Sequence, residues 1–355
     1  MLGVQWYMAA TYVGAVVGAG FASGQEALTF FITYGARGCL GILITIVGFV
    51  AMGALNFALA QELADGSYGR ILEITCGASW AKYYDIVITC FLLAGVGVML
   101  AGAGSLVFQQ WGLPPFFGVV FTACVAGFSS MGGIKGVFWV NALLVPGIFI
   151  STVGLGIRGL AQLWTMIQYS EANVLWGTYP TPLVPNWWLA GIVYLAYNSM
   201  LGIAACIPLA AGLPTRRHAL LGGIVGGVVL GILLLASSFA IWGEGLAATE
   251  SPLPMAMIAT RAHPLMGSLY GIIIWSAMIT TAATNLFAVT KRLGTTPGLA
   301  TGGLLAIAFI LSLMGFSSLI GLLYPFFGYL GGLYVAQTLL YFGRRWWFQV
   351  LGKDR

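Results

Sequence analysis

The sequence predicts an all-α membrane protein of ten transmembrane helices, built as two halves of five in opposite orientation, with the first and sixth helices discontinuous. Three observations carry that expectation. Hydrophobic residues make up 60% of the 355 and charged residues 6%, with a mean hydropathy of +0.96, whereas roughly a quarter of residues are charged in soluble domains. The first apolar span is interrupted by GAVVGAGFASGQE (Gly14 to Glu26), a glycine-rich run that ends in a carboxylate. The basic residues, finally, collect on one side of the membrane once ten spans are drawn.

At about 20 apolar residues per crossing, the spans run from Gly3 to Tyr34, Gly38 to Ala64, Trp80 to Trp111, Pro115 to Ser129, Gly136 to Leu160, Asn186 to Gly212, Ala219 to Trp242, Leu265 to Thr290, Pro297 to Met314 and Leu319 to Phe342. The first is read as a span rather than a secretory signal, because Met1 to Thr11 contains no Lys or Arg. The fourth is short and bounded by Pro114 and Pro115.

With the amino terminus inside, the cytoplasmic loops and tail hold Arg70, Lys82, Lys135, Arg216, Arg217, Lys291, Arg292, Arg344, Arg345, Lys353 and Arg355, and the outside holds only Arg37, Arg158 and Arg261. Eleven against three is a strong positive-inside bias. It predicts a protein of the cell inner (cytoplasmic) membrane with both termini in the cytoplasm, and Trp346 and Trp347 suit an interfacial anchor. The external connections Gly159 to Pro185 and Gly243 to Pro264 are long enough to predict interfacial or lid helices. The chain accordingly divides into a first repeat (1–161), an external connection (162–185), a second repeat (186–343) and a cytoplasmic tail (344–355).

The net charge of +5 is explained by topology, so no nucleic-acid partner is expected, and no obligate protein partner is inferred. Five scattered cysteines (Cys39, Cys76, Cys90, Cys124 and Cys206) lack metal-binding spacing, and His218 and His263 lie in loops. No nucleophile–base constellation or phosphate loop points to an enzyme.

Backbone at membrane depth must be paired, sheltered by protein or line a cavity, so the interruption in the first span marks a binding site. An intramembrane carboxylate strengthens that reading. Five spans per half invert the second half, and the sixth span then requires a matching break. Tyr194 to Gly202 (YLAYNSMLG), with Pro208 beyond, is the candidate, with Tyr194 itself read as core packing. Gly102, Gly104, Gly226 and Gly227 are read as helix-packing glycines.

On these residues the chain resembles transporters of the LeuT fold in the amino acid, polyamine and organocation superfamily, and GAGFASGQE resembles YkvI-like bacterial membrane proteins. The resemblance implies alternating access by a bundle of spans one, two, six and seven against a scaffold of three, four, eight and nine. It implies a sodium ion held by the carbonyls of Gly14, Val17 and Ala277 and the hydroxyls of Thr280 and Thr281, five neutral oxygens that suit a hard cation. The competing reading is that both threonines bond back to carbonyls one turn earlier. For a small-molecule substrate, the resemblance implies backbone at Gly18, Ala19 and Gly20, and the side chains of Tyr197, Asn198, Met200 and Ile203. Asn285, one turn beyond Thr281, is placed with them.

Glu26 departs from the resemblance. Ser23-Gly24-Gln25-Glu26 reads as a capping box, yet the carboxylate also suits pairing with a substrate ammonium or carrying a proton. The fifth span has no Lys or Arg between Gly136 and Gly156, where a proton-coupled relative is expected to place a basic group. The expected function is sodium-coupled symport of a small polar solute, an amino acid or related amine. The alternatives are proton coupling through Glu26 and a ligand sensor that does not transport.

Overall fold

The computed structural model describes residues 2–64, 66–132, 135–168, 176–178, 183–294 and 297–350. Every described regular element is helical, and helix underlies each of the ten apolar stretches. Six described helices are each long and apolar enough to cross a membrane.

The first stretch is three pieces: α1 (Leu2–Val16), a single turn α2 (Ala19–Ala22) and α3 (Gln25–Phe30), followed by a 3-10 turn at Ile32–Tyr34. Helix α1 has 15 residues, so it rises about 22 Å before the chain breaks, inside a hydrocarbon layer ~30 Å thick. At the first break Gly18 is extended (φ −86°, ψ −175°) and its N–H turns to the Val16 carbonyl at 2.8 Å. At the second, Gly24 takes φ +79°, a left-handed conformation that suits glycine.

Beyond it run α4 (Ala36–Leu63), α5 (Tyr68–Cys76), α6 (Ala78–Trp111), α7 (Pro115–Gly132) and α8 (Lys135–Gln168). The second half holds α9 (Trp187–Ala211), α10 (Arg216–Glu244), a 3-10 turn at Leu246–Glu250, α11 (Pro254–Ala262), α12 (Pro264–Leu293), α13 (Pro297–Ser312) and α14 (Phe316–Val350). The 3-10 turn and α11 occupy the connection where lid helices are expected; most of the other external connection lies outside the described residues. Two expected boundaries differ, since α8 continues to Gln168 and α14 carries the expected tail as helix to Val350.

The expected break in the sixth span is corrected: α9 is one unbroken helix. Its polar and glycine residues are accommodated without opening the backbone. The Asn198 amide donates to the Tyr194 carbonyl one turn back at 3.0 Å. A β-carbon on Gly202 would come within 3.0 Å of the Tyr12 ring, so this glycine permits close packing of α1 rather than a break. Pro208 falls close to the end of the helix.

Helix packing separates two sets. In one, α4 lies along α10 and α9, and α1 along α10 and α9; in the other, α6 packs on α12, α7 and α13, and α12 on α7. Helix α8 bridges α10 and α12, and α14 bridges α9 and α6. These pairings exchange when each span is replaced by the one five later: α4–α9 becomes α10–α1, α6–α13 becomes α12–α7, and α8–α12 becomes α14–α6. The symmetry is incomplete: α8 is seated closely on α10, with Gly156 against Ala236 and Gly159 against Ala240, while α14 has no comparable contact with α4, and α14 packs far more on α9 than α8 does on α1.

Polar ties close both ends. On the side of the basic loops, Arg345 pairs with Glu62, and Arg292 lies 3.8 Å from Asp85. The Tyr68 hydroxyl donates to the same Asp85. Burial, and next the bond to this carboxylate, push the Tyr68 phenol up to about 12, so it keeps its donor proton at neutral pH. On the opposite side Tyr34 and Tyr329 bond the carbonyls of Val184 and Leu183, and the indoles of Trp176 and Trp242 each donate to the other's carbonyl at 3.2 and 3.0 Å.

Candidate functional site

The two breaks turn the α2–α3 segment so that its side chains face both helix sets. Ser23 stabilises the turn: its hydroxyl donates to the Gly20 carbonyl at 2.8 Å and accepts the Gln25 N–H at 3.2 Å. Its own N–H goes to Ala19 at 2.8 Å. The expected capping box does not form: Gly24 precedes α3, the Ser23 hydroxyl accepts from Gln25 rather than from the Glu26 N–H, and Glu26 does not return to the Ser23 amide.

Glu26 instead points inward from the first turn of α3 and is 4% exposed. Its Oε2 accepts a hydrogen bond from the hydroxyl of Tyr197 on α9 at 2.8 Å. Gly20 on α2 faces the other oxygen, where a β-carbon would overlap Oε1 and approach the Tyr324 hydroxyl to 3.2 Å. Aromatic rings pack around the Tyr197 and Tyr324 side chains. Tyr197 and Tyr324 have centroids 4.9 Å apart, Phe91 of α6 lies 5.7 Å from each, and Phe30 lies 5.9 Å from Tyr197. The Tyr194 ring sits edge-on to Tyr197 at 5.3 Å, and its buried hydroxyl reaches toward the same carboxylate without a well-formed hydrogen bond. Among the described residues no Lys, Arg or His pairs with Glu26.

The site lies on the seam between the helix sets, since Glu26, Gly20 and Tyr197 come from the broken helix and α9 while Phe91 belongs to α6. The lid rests on it: Met255, in the first turn of α11, donates its N–H to the Ser23 carbonyl at 2.9 Å. Gln109 of α6 holds the lid in place, with Nε2 on the Leu253 carbonyl at 3.2 Å and Oε1 accepting from Ser251 at 2.7 Å.

The other expected residues fall in different places. Gly18 and Ala19 lie at the break, with Ala19 fully buried. Asn198 is buried and engaged within its own helix. Met200 turns to α14, its methyl occupying the space over Gly331, and Asn285 places its amide over Gly95 of α6. Ile203 is in α9, and its side chain lies outside the described residues.

Of the expected sodium ligands, Gly14 and Val17 flank the first break. Because the Gly18 N–H is diverted to Val16, the Gly14 carbonyl loses the amide a continuing helix would offer it. Thr280 donates to the Ala277 carbonyl at 3.1 Å, the back-bond of the competing reading, and Thr281, next along α12, is half-buried. Helix α12 meets the broken helix at α2, where the Tyr270 hydroxyl donates to the Ala22 carbonyl at 2.7 Å. Among the described residues no cluster of three or more His, Cys, Asp or Glu could hold a metal, and all five cysteines are free.

Sequence reasoning did not place Phe30, Phe91 or Tyr324 at the site. Each is an aromatic residue among many in a chain that is 14% aromatic, and nothing in its spacing ties it to Glu26. The only local signal was Tyr324 beside the helix-internal Pro325.

No family model matches the chain. It is similar to the membrane protein YkvI of Bacillus subtilis, with 28% identity over 342 residues and 94% of each chain covered. It is also similar to YyaD of the same organism, with 23% identity over 343 residues and 96% of each covered. Among solved structures it is similar to MhsT in complex with L-phenylalanine (TM-score 0.64, 18% identity, 93% of this chain and 87% of that one). Two others are Mhp1 in its inward-facing conformation (TM-score 0.59, 14% identity, 92% and 73%) and a substrate-bound outward-open Na+-coupled sialic acid symporter (0.57, 14%, 93% and 76%). These likenesses establish a multi-span membrane protein with a LeuT-like fold.

Proposed function

We propose that the chain is a sodium-coupled secondary transporter that moves a small polar organic solute across the bacterial cytoplasmic membrane by alternating access. The observation that carries this reading is the enclosed Glu26–Tyr197 pair at the break in the first helix, on the seam between two helix sets. A site on such a seam is opened to one side or the other when the sets rock, without being rebuilt. In support, the fold is shared with a Na+-coupled symporter and with a protein captured with an amino acid.

The topology we assign is ten spans in a 5+5 inverted repeat with both termini inside. It draws on the positive-inside bias and on the exchange of packing pairs between halves. Sodium is assigned to Gly14, Val17, Ala277, Thr280 and Thr281. The diverted Gly18 amide favours this, because it leaves a carbonyl free at the break, while the Thr280 bond to the Ala277 carbonyl is the competing arrangement that an ion would have to replace. Substrate is assigned to Gly18, Ala19, Gly20, Glu26 and Tyr197, with Asn198, Met200, Ile203 and Asn285 in the surrounding shell.

A second reading has its own observation. Glu26 is buried with no basic side chain paired to it among the described residues, and a proton is the smallest counter-charge available to a buried carboxylate. It predicts uptake driven by a proton gradient and lost in Glu26→Gln, with no response to sodium.

Thermal unfolding in sodium and in potassium chloride at equal ionic strength tests the main reading. Sodium is expected to raise the melting temperature, and Thr280→Val with Thr281→Val to remove that rise while the protein stays folded. Equal melting of the unmodified protein in both salts would refute sodium coupling.

A further inference from the structure

We propose that the ligand of the Glu26 site is an organic cation, a protonated amine or ammonium that carries no carboxylate of its own. The inference rests on the transporter reading of the same site and sharpens it to a substrate class.

The site holds one carboxylate, Glu26, 4% exposed, and, among the described residues, no basic side chain to balance it. A buried carboxylate left this way is costly unless a cation or proton joins it. Its walls are made for a cation. Tyr197 bonds the carboxylate, and the Tyr324 hydroxyl lies on the Gly20 side of it. Behind them Phe91 packs on both rings at 5.7 Å and Phe30 on Tyr197 at 5.9 Å, so the surroundings are aromatic, and aromatic faces attract positive charge. The same walls offer an anion little. A zwitterionic ligand that put its ammonium on Glu26 would bring its own carboxylate into aromatic surroundings where, among the described residues, no guanidinium or ammonium side chain receives it.

Two further features describe the binding step. In the closed site the rings touch one another, and the Tyr197 hydroxyl takes up the Glu26 Oε2 position at 2.8 Å. An incoming N–H occupies that position by displacing the phenol, exchanging one donor for a charged one, and charge-assisted hydrogen bonds are the stronger kind. The buried Tyr194 hydroxyl, which makes no well-formed hydrogen bond, supplies an acceptor for a second N–H. Gly20 is the wall that must stay bare, since any β-carbon there would occupy the space of Oε1.

The test uses purified full-length protein and amines paired with the amino acids that differ by one carboxylate: ethylamine with L-alanine, 3-methylbutylamine with L-leucine, and 2-phenylethylamine with L-phenylalanine. Tetramethylammonium is added as a cation without N–H. Dissociation constants are read by calorimetry in sodium and again in potassium. We expect at least one amine to bind at least tenfold tighter than its amino-acid partner, and Glu26→Gln to abolish that binding while retaining a cooperative melt. Amino acids binding as tightly as their amines, or no cation in the series binding, would overturn the proposal. Should Glu26→Gln fail to fold, Tyr197→Phe decides: removing the competing phenol is expected to tighten amine binding severalfold, and a loss of binding overturns the displacement. Amine preference without a sodium effect would overturn sodium coupling and leave the ligand class standing. Sodium linkage with amino-acid preference would do the reverse.

Discussion

Three glycines in the first helix have different tolerances, and the difference is a property of their surroundings. Gly18 is extended and nothing lies within 4 Å of where its β-carbon would be, so Gly18→Ala should change stability by no more than about 0.5 kcal/mol. Gly20→Ala drives a methyl into the Glu26 carboxylate and should cost about 1 to 3 kcal/mol as well as ligand binding. Gly24→Ala combines the left-handed backbone with overlap on Met255, 2.7 Å away, and should cost a similar amount. Melting curves of the three variants check the order, and equal loss in all three would contradict the geometry. The glycine cluster was legible in the sequence as a break, but the individual roles were not. Gly20 matters because of where Glu26 turns, and that depends on Tyr197, which is remote in sequence. Glu26 itself was conspicuous as an intramembrane carboxylate, while its choice of Tyr197 over the Ser23 amide is a tertiary outcome.

At the level of elements, the lid is held by few polar contacts, and Gln109 supplies two of them. Gln109→Leu removes both while keeping a similar volume. A hydrogen bond contributes about 1 kcal/mol, so amide exchange in residues 251–257 should quicken by roughly tenfold or more while the rest of the protein is unaffected. Unchanged exchange there would mean that packing alone holds the lid. Lid helices were foreseeable because a long structureless loop is uncommon between membrane spans. Helix α5 was not, because it has only nine residues, with Arg70 and Glu73 among them, and a search for long apolar runs passes over it. The sixth span misled for a different reason. Polar residues and a glycine at mid-depth resemble a break, yet Asn198 finds its acceptor within the helix, and Gly202 serves contact with Tyr12. Sequence alone does not distinguish a glycine that opens a helix from one that lets another helix approach.

For the whole molecule, composition and the distribution of basic residues were enough to anticipate a helical membrane protein, because both follow from the bilayer rather than from particular contacts. The grouping into two helix sets required the structure, since nearly every helix is apolar on most faces. The topology predicts that cysteines introduced near Arg158 and Glu250 react with an impermeant reagent from outside, and those near Arg216 and Lys291 only from the cytoplasm. External labelling at Arg216 would contradict ten spans.

The account centres on a site that is alternately opened by movement of one helix set against the other and linked to sodium. Its most direct test is accumulation of the tightest-binding compound of the amine and amino-acid series in proteoliposomes under an inward sodium gradient. The account predicts concentration inside well above equilibrium, abolished when potassium replaces sodium and when Thr280 and Thr281 are both changed to Val. Binding without accumulation, or uptake that is the same in sodium and potassium, would contradict it.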